Sequence, residues 1–391
     1  MKNYKAIGKI GEGTFSEVMK MQSLKDGNYY ACKQMKQHFD SIDQVNSLRE
    51  IQALRRLNPH PNILTLYEVV LRRWDRRAQK LWSVHCILEH QLLFLAGAAT
   101  ESRPGEPVLR VRLCCVCGCA ACAAELRVRL CCVCRRAACA TGLCGPGSVQ
   151  SRSPPVALCS ALASLSSVRR VLQGRHVGAG RRHPLSERRI MHYMYQLCKS
   201  LDHMHRNGIF HRDVKPENIL IKQDVLKLGD FGSCRSVYSK QPYTEYISTR
   251  WYRAPECLLT DGFYTYKMDL WSAGCVFYEI ASLQPLFPGD NELDQISKIH
   301  DVIGTPAQRT LTKFKQSRAM SFDFPFKKGS GIPPPPTNLS PHCLSLLHAM
   351  VVYDPDDRIA AHQALQHPYF QEQRGAEARA LVSHRRAFFP T

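Results

Sequence analysis

The sequence predicts an α+β protein of two lobes, a small β-rich lobe and a large helical one, separated by an insert. Three observations predict it. Residues 1–71 hold short strand candidates broken by glycine, with one amphipathic helix. Residues 181–374 alternate helical stretches with loops marked by proline and glycine. Between them, residues 72–180 are rich in cysteine and arginine and nearly devoid of the large aromatic residues that build a core.

In chain order, Tyr4–Lys9, Val18–Gln22 and Tyr29–Met35 read as strands. Leu48, Ile51, Leu54 and Leu57 recur at helical spacing, which predicts an amphipathic helix over about 43–57. HPNILTLYEVVL at 60–71 reads as a turn followed by a strand. LRVRLCCVCGCAACAAE at 109–125 is followed at once by LRVRLCCVCRRAACATG at 126–142, a tandem repeat of no known solenoid period, so this segment is read as low complexity. Order resumes near Pro184 and Ser186, which open a helix whose apolar face is Ile190, Tyr193, Met194, Leu197 and Leu201. The proline run at 333–336 is a loop, and 375–391 is expected to be a flexible tail.

Composition narrows the class. The chain has 391 residues, 44% hydrophobic and 22% charged, as in soluble globular proteins. The amino-terminal stretch MKNYKAIGKIGEGTF lacks the continuous apolar core of a signal peptide, and the apolar stretches around 82–99 and 156–168 are too short or interrupted to span a bilayer. The expectation is a protein of the cytoplasm or nucleus without a membrane partner, whose eighteen cysteines stay reduced. The net charge of +20 suggests nucleic acid, but its distribution argues against that partner. Residues 72–182 contain 18 Arg or Lys against 5 Asp or Glu, so most of the excess comes from the insert and not from a folded basic face.

Several motifs carry chemistry. GEGTFSEV at 11–18 lies between two strands, and Gly11 and Gly13 permit a tight turn whose backbone can lie over phosphates. Ser16 stands where a third glycine is usual, and such a turn by itself suits an ordinary hairpin equally well. Lys33 in YACK is flanked by Ala31 and Cys32; if it faces inward it needs a partner, and Glu50 on the following helix is the candidate. HRDVKPEN at 211–218 and DFG at 230–232 complete a set suited to moving the terminal phosphoryl group of ATP onto a hydroxyl. Asp213 is the expected base, Lys215 neutralises the transferring group, and Asn218 and Asp230 hold Mg²⁺.

Together GEGTFSEV, YACK, the LREI helix, HRDVKPEN, DFG, APE at 254–256 and DLWSAGC at 269–275 resemble a eukaryotic Ser/Thr protein kinase. TEY at 244–246 and TRWYRAPE look like the branch containing MAP kinases and cyclin-dependent kinases. The resemblance covers about 1–71 and 180–374 and implies a bilobal kinase fold, ATP and Mg²⁺ as cofactors, protein substrates, an upstream activating kinase and a monomer, with ciliary location added to cytoplasm and nucleus. It implies that Ile10, Val18, Ala31 and Leu220 surround the adenine, and that Leu54, Leu66, His211 and Phe231 stack between the lobes. It further implies that Thr249 bridges Asp213 and Lys215, that Glu256 pairs with Arg358, and that Thr244 and Tyr246 are phosphosites whose phosphates draw in Arg212 and neighbouring arginines. Some preference for proline after the target residue is also implied.

One departure from this pattern stands out. The family places further strands, a gatekeeper and a hinge that bonds adenine where this chain has residues 72–180. LWSVHCILEHQLL at 81–93 is the one strand-like run that can substitute, with Glu89 at the hinge and Ile87 or Leu88 near the gatekeeper. The alternative reading is therefore an impaired splice variant or scaffold that keeps its catalytic residues without binding ATP. The pairs Cys114–Cys117, Cys119–Cys122 and Cys131–Cys134 have spacing compatible with zinc, though duplication of one pair supplies another.

Overall fold

The computed structural model describes residues 3–12, 16–76, 79–89, 165–167, 185–244, 249–314, 322–336 and 338–388. The tandem repeat and the three CxxC pairs lie outside the described residues, as do Gly13 and Tyr246.

The small lobe is a five-stranded antiparallel sheet of β1 (Tyr4–Glu12), β2 (Ser16–Ser23), β3 (Tyr29–Phe39), β4 (Leu66–Arg76) and β5 (Gln79–Glu89). Its order is β1-β2-β3-β5-β4, so β5 is an interior strand. The small-lobe boundary expected at Leu71 is thereby corrected: β4 runs on to Arg76, and β5 lies within the segment read as an insert. The strand-like run read at 81–93 thus overlaps β5, whereas the extension of β4 past Leu71 was not anticipated. Side chains directly opposite in an antiparallel pair share a face. Ala31 faces Leu88 and Lys33 faces Cys86 across the β3–β5 pair, which makes one inward face of four residues. The other face carries a separate cluster of Met21 and Cys32 with Tyr4, Met19, Tyr30 and Val70 against them.

Helices α1 (Ile42–Asn46) and α2 (Arg49–Leu57) follow β3. One helix was expected over 43–57, and the chain breaks it at Ser47, whose hydroxyl donates to Gln44 O at 2.7 Å. Such a side-chain bond offers the backbone an alternative to the helical ladder. Ser41 caps α1 by accepting from Gln44 N. Ile51, Leu54 and Leu57 of α2 are fully buried.

The large lobe is built around α3 (Glu187–Arg206), α4 (Pro255–Leu259) and α5 (Met268–Ser282). Helix α5 is buried over nearly its whole length, as expected of a helix apolar all round. Gly274 permits its closest approach to a neighbour: a Cβ there would meet Val351 Cγ1 at 2.7 Å. Around these pack α6 (Glu292–Ile303), α7 (Gln308–Lys313), α8 (Pro341–Met350) and α9 (Ala361–Gln366). Short strands β6 (Leu165–Ser167), β8 (Ile219–Lys222) and β9 (Val225–Leu228) form one small sheet, and β7 (Ile209–Phe210) pairs with β10 (Arg235–Ser236). The pairing of β6 with β8 is a second place where chain expected to be insert joins the fold.

The carboxy-terminal segment also differs from expectation. Helix α10 (Gln371–Phe388) covers most of the presumed tail. Glu377 accepts from Tyr195 Oη at 2.8 Å and pairs with Lys199 at 2.6 Å, which fixes the helix to α3. Its apolar residues are few and scattered, so helix propensity and these polar anchors replace the periodicity that sequence reading seeks. No helix among the described residues is long and apolar enough to cross a membrane.

Candidate active site

The site begins with a buried acid. Asp269 opens α5 and is fully buried. Its Oδ2 accepts from the His211 amide at 2.8 Å and from His205 Nε2 at 2.9 Å, and its Oδ1 accepts from the Arg212 amide at 2.8 Å. Burial pushes its carboxyl up, but the His205 ring and these amides outweigh that and hold its pKa below the usual carboxylate range. Arg212 has φ +70°, a conformation costly for a long side chain, and the paired amide bonds to Asp269 hold it there. Asp269→Ala would orphan two buried N–H groups and is expected to cost about 3 kcal/mol or more, read as a lower urea midpoint.

The loop so anchored carries His211, Asp213, Lys215 and Asn218. The His211 ring meets Gly229 O through Nε2 and accepts from the Asp213 amide at Nδ1, a network that assigns the proton to Nε2. Asp213 is buried. Its Oδ2 accepts from Asn218 Nδ2 at 3.0 Å and pairs with Lys215 Nζ at 2.8 Å. Its Oδ1 is buried with no hydrogen-bond partner. The Asp213–Lys215 contact is thus direct; Thr249 opens the short helical turn at Arg250–Tyr252, with its carbonyl accepting from the Tyr252 amide.

The second loop approaches from β9. Gly229 N donates to Asn218 O at 2.9 Å, which sets Asp230 beside Asn218. Asp230 sits in the left-handed region at φ +58° with its side chain half exposed. Lys33 joins the lobes: its Nζ lies 2.8 Å from both Glu50 carboxylate oxygens and 3.1 Å from Asp230 Oδ1. Burial pulls the Lys33 pKa down, but the Glu50 and Asp230 carboxylates outweigh it and leave it raised. The Lys33 charge in turn lowers Asp230 to about 2. Phe231 is fully buried and meets the His211 ring edge-on at 5.3 Å, with Leu54 and Leu66 in the same apolar cluster.

Above this, Gly11 stands opposite Val18, and Val18 opposite Lys33, in adjoining strand pairs. Val18, Ala31, Leu220 and Ile10 belong to one core cluster. Ile87 and Leu88 were the sequence candidates for the position behind the nucleotide. The register puts Leu88 across from Ala31, Ile87 across from Cys32 and Cys86 across from Lys33. Burial pushes the Cys86 thiol up to about 12. Glu89 ends β5, and the chain beyond it through 164 lies outside the described residues.

Two further sites lie in the large lobe. Glu256 and Arg358 form a bidentate ion pair, 2.6 and 2.9 Å, both almost fully buried. The other Arg358 donors reach Val352 O, Lys267 O and Tyr353 O, so all five N–H groups are used. Arg212 is buried, donating to Ser233 O at 2.6 Å and Tyr264 Oη at 2.8 Å, and Tyr264 Oη donates to the carbonyl of exposed Thr244. Burial, then the charges of Arg235 and Arg212, pull Arg49 below its usual pKa, which places three guanidinium groups together. Arg235 Nε is buried without a partner. Arg49 and the anchor Asp269 were quoted only within the LREI and DLWSAGC runs, with no role given, and Arg235 and Tyr264 were not named. Asp269 had a usable signal, an acid in the first turn of a mostly apolar helix, since a carboxylate there must find buried donors.

The donor chemistry suits a hard cation. Mg²⁺ takes oxygen ligands and is held by one or two protein groups together with phosphate. Asp230 and Asn218, side by side with Asp230 half exposed, meet that requirement.

Comparison with known proteins agrees with this geometry. The family model described as "Protein kinase domain" matches residues 4–94 and 149–370. The chain is 66% identical over 390 residues to the MAPK/MAK/MRK overlapping kinase of Mus musculus, covering 100% of this chain and 73% of that protein. The Homo sapiens protein of that name gives the same identity and coverage. Serine/threonine-protein kinase MAK of Homo sapiens is 30% identical over 373 residues, covering 95% of this chain and 46% of that protein.

Proposed function

The chain belongs to the protein kinase family as a serine/threonine kinase, and on that premise we propose that Asp213, Lys215, Lys33, Glu50, Asn218 and Asp230 carry the transfer. The observation that carries the reading is the junction of Lys33 with Glu50 and Asp230 beside a loop in which Asp213 keeps one buried oxygen unbonded.

Lys33, kept cationic by its two carboxylates, aims its charge at the nucleotide phosphates. Asp230 and Asn218 would hold Mg²⁺, which when bound would supply neutralising charge to the phosphate oxygens. Asp213 Oδ1 accepts the proton of the substrate hydroxyl as that oxygen bonds the γ-phosphorus and the bond to the β-phosphate oxygen breaks. Lys215, paired with Oδ2, leaves Oδ1 free for that proton and presents its own charge to the moving group.

The arginine group supports regulation by phosphorylation of the TEY segment. Arg49, Arg212 and Arg235 lack a carboxylate partner among the described residues, and Tyr264 ties Arg212 to Thr244. A phosphate on Thr244 supplies the missing anion and draws the loop onto this cluster. Thr244→Ala and Tyr246→Phe are each expected to lower kcat/KM by about tenfold or more after treatment with an activating kinase.

Thermal unfolding of the purified chain with and without Mg²⁺-ATP tests the reading. Nucleotide at one hundred times its Kd is expected to add about 2.7 kcal/mol, alongside phosphate incorporation into serine or threonine of a protein substrate. Absence of any shift at saturating nucleotide would instead support the scaffold reading, in which the interrupted hinge fails to hold adenine.

A further inference from the structure

The proline run at 333–336 takes no part in the chemistry described above. Four consecutive prolines fix φ near −65° and bias each preceding residue away from the helical region, which favours the extended polyproline II form, with three residues per turn and no internal hydrogen bonds. The exposure pattern follows that period. Ile332 and Pro335 are half-buried, whereas Pro333, Pro334 and Pro336 are exposed. Ile332 packs against the main core cluster. One edge of the three-sided rod therefore lies on the protein and the other two face solvent.

Described chain on each side of the run is anchored. On the near side, Ser330 N donates to Asp301 O at 2.8 Å and Gly331 N donates to Val302 O at 2.9 Å. Lys327 Nζ reaches Asp301 Oδ1 at 2.7 Å and Ser297 Oγ at 2.9 Å. Gly331 has φ +80°, a turn that only glycine makes without strain and that redirects the chain into the run. On the far side, Ser340 caps α8 by accepting from Cys343 N, and its own amide and hydroxyl donate to Glu187. The run is thus flanked by anchored chain, at Gly331 on the α6 side and at Ser340 on the α3 side.

We propose that Pro333–Pro336 is a docking segment for a protein domain that reads polyproline II through an aromatic-lined groove. Outward proline edges are what such grooves accept, and a proline run, with φ already fixed by its rings, loses little further entropy on binding. Proline carbonyls have no internal partners and are free to accept from groove tryptophan or tyrosine donors. No charged residue lies between Gly329 and Ser340, so the reader this segment fits is one that needs no flanking basic residue.

The test titrates the full chain with a purified EVH1 domain, followed by the tryptophan fluorescence of its groove, with a purified SH3 domain in parallel. Saturable binding to the EVH1 domain is expected. Pro333→Ala and Pro336→Ala, both on exposed edges, are each expected to weaken it about tenfold while the melting temperature stays unchanged. A free IPPPPT peptide is expected to compete. No binding to the EVH1 domain, equal binding of the proline variants, or binding to the SH3 domain alone overturns the proposal.

Discussion

Asp213→Asn is expected to lower the rate of phosphoryl transfer by about 10²–10⁴-fold while nucleotide-dependent thermal stabilisation persists. The substitution keeps the volume of the side chain and its place beside Asn218 and Lys215. It puts an amide nitrogen in place of Oδ1, an oxygen that is buried, unbonded and able to take a proton from a hydroxyl. An amide accepts a proton poorly, so the loss falls on the chemical step and not on the binding of nucleotide, which Lys33, Asp230 and Asn218 serve. Initial rates on a serine or threonine substrate, measured together with the Mg²⁺-ATP melting shift, separate the two effects. A variant that keeps the parent rate would show that Asp213 is not the base.

Glu256→Ala is expected to destabilise the large lobe by about 3–5 kcal/mol. Arg358 has all five donors committed and lies against the Trp271 ring at 5.2 Å, in a place with almost no solvent access. Deleting the carboxylate leaves the guanidinium charged, because arginine does not give up its proton in a protein, and leaves two donors without an acceptor. The opposite substitution, Arg358→Met, strands a carboxylate, which can protonate and so is the milder loss. Urea unfolding of both single variants and of the double variant measures the coupling. A cost for Glu256→Ala below about 1 kcal/mol would show that the pair behaves as a solvated surface bridge.

Much of the site was legible because its residues fall in short runs whose spacing constrains chemistry. HRDVKPEN places an acid, a lysine and an amide within one turn of chain, and the structure brings Asp213, Lys215 and Asn218 into direct contact. The Lys33–Glu50 pair could be proposed because an inward lysine on β3 requires a carboxylate, and α2 offers Glu50 on its buried face. The rod at 332–336 was read only as a loop, since neither end carries a sequence signal for what holds it. Strand β5 was harder still. Its residues were read as a strand-like run only from 81 and only as a substitute within the insert, and its interior position between β3 and β4 is a property of the sheet.

Motif order along the chain was enough to name the family, the reaction and the residues offered for each role, because the chemistry of phosphoryl transfer demands particular groups at short separations. Contacts between distant segments waited for the fold. That Asp269 locks Arg212 in a left-handed turn, that Arg49 and Arg235 gather beside it, that Cys86 stands across from Lys33, and that α10 clasps α3 through Glu377 all depend on chain brought together over tens to hundreds of residues. Such contacts are selected by packing and by the need of each buried polar group for a partner, and neither leaves a periodic mark on the sequence.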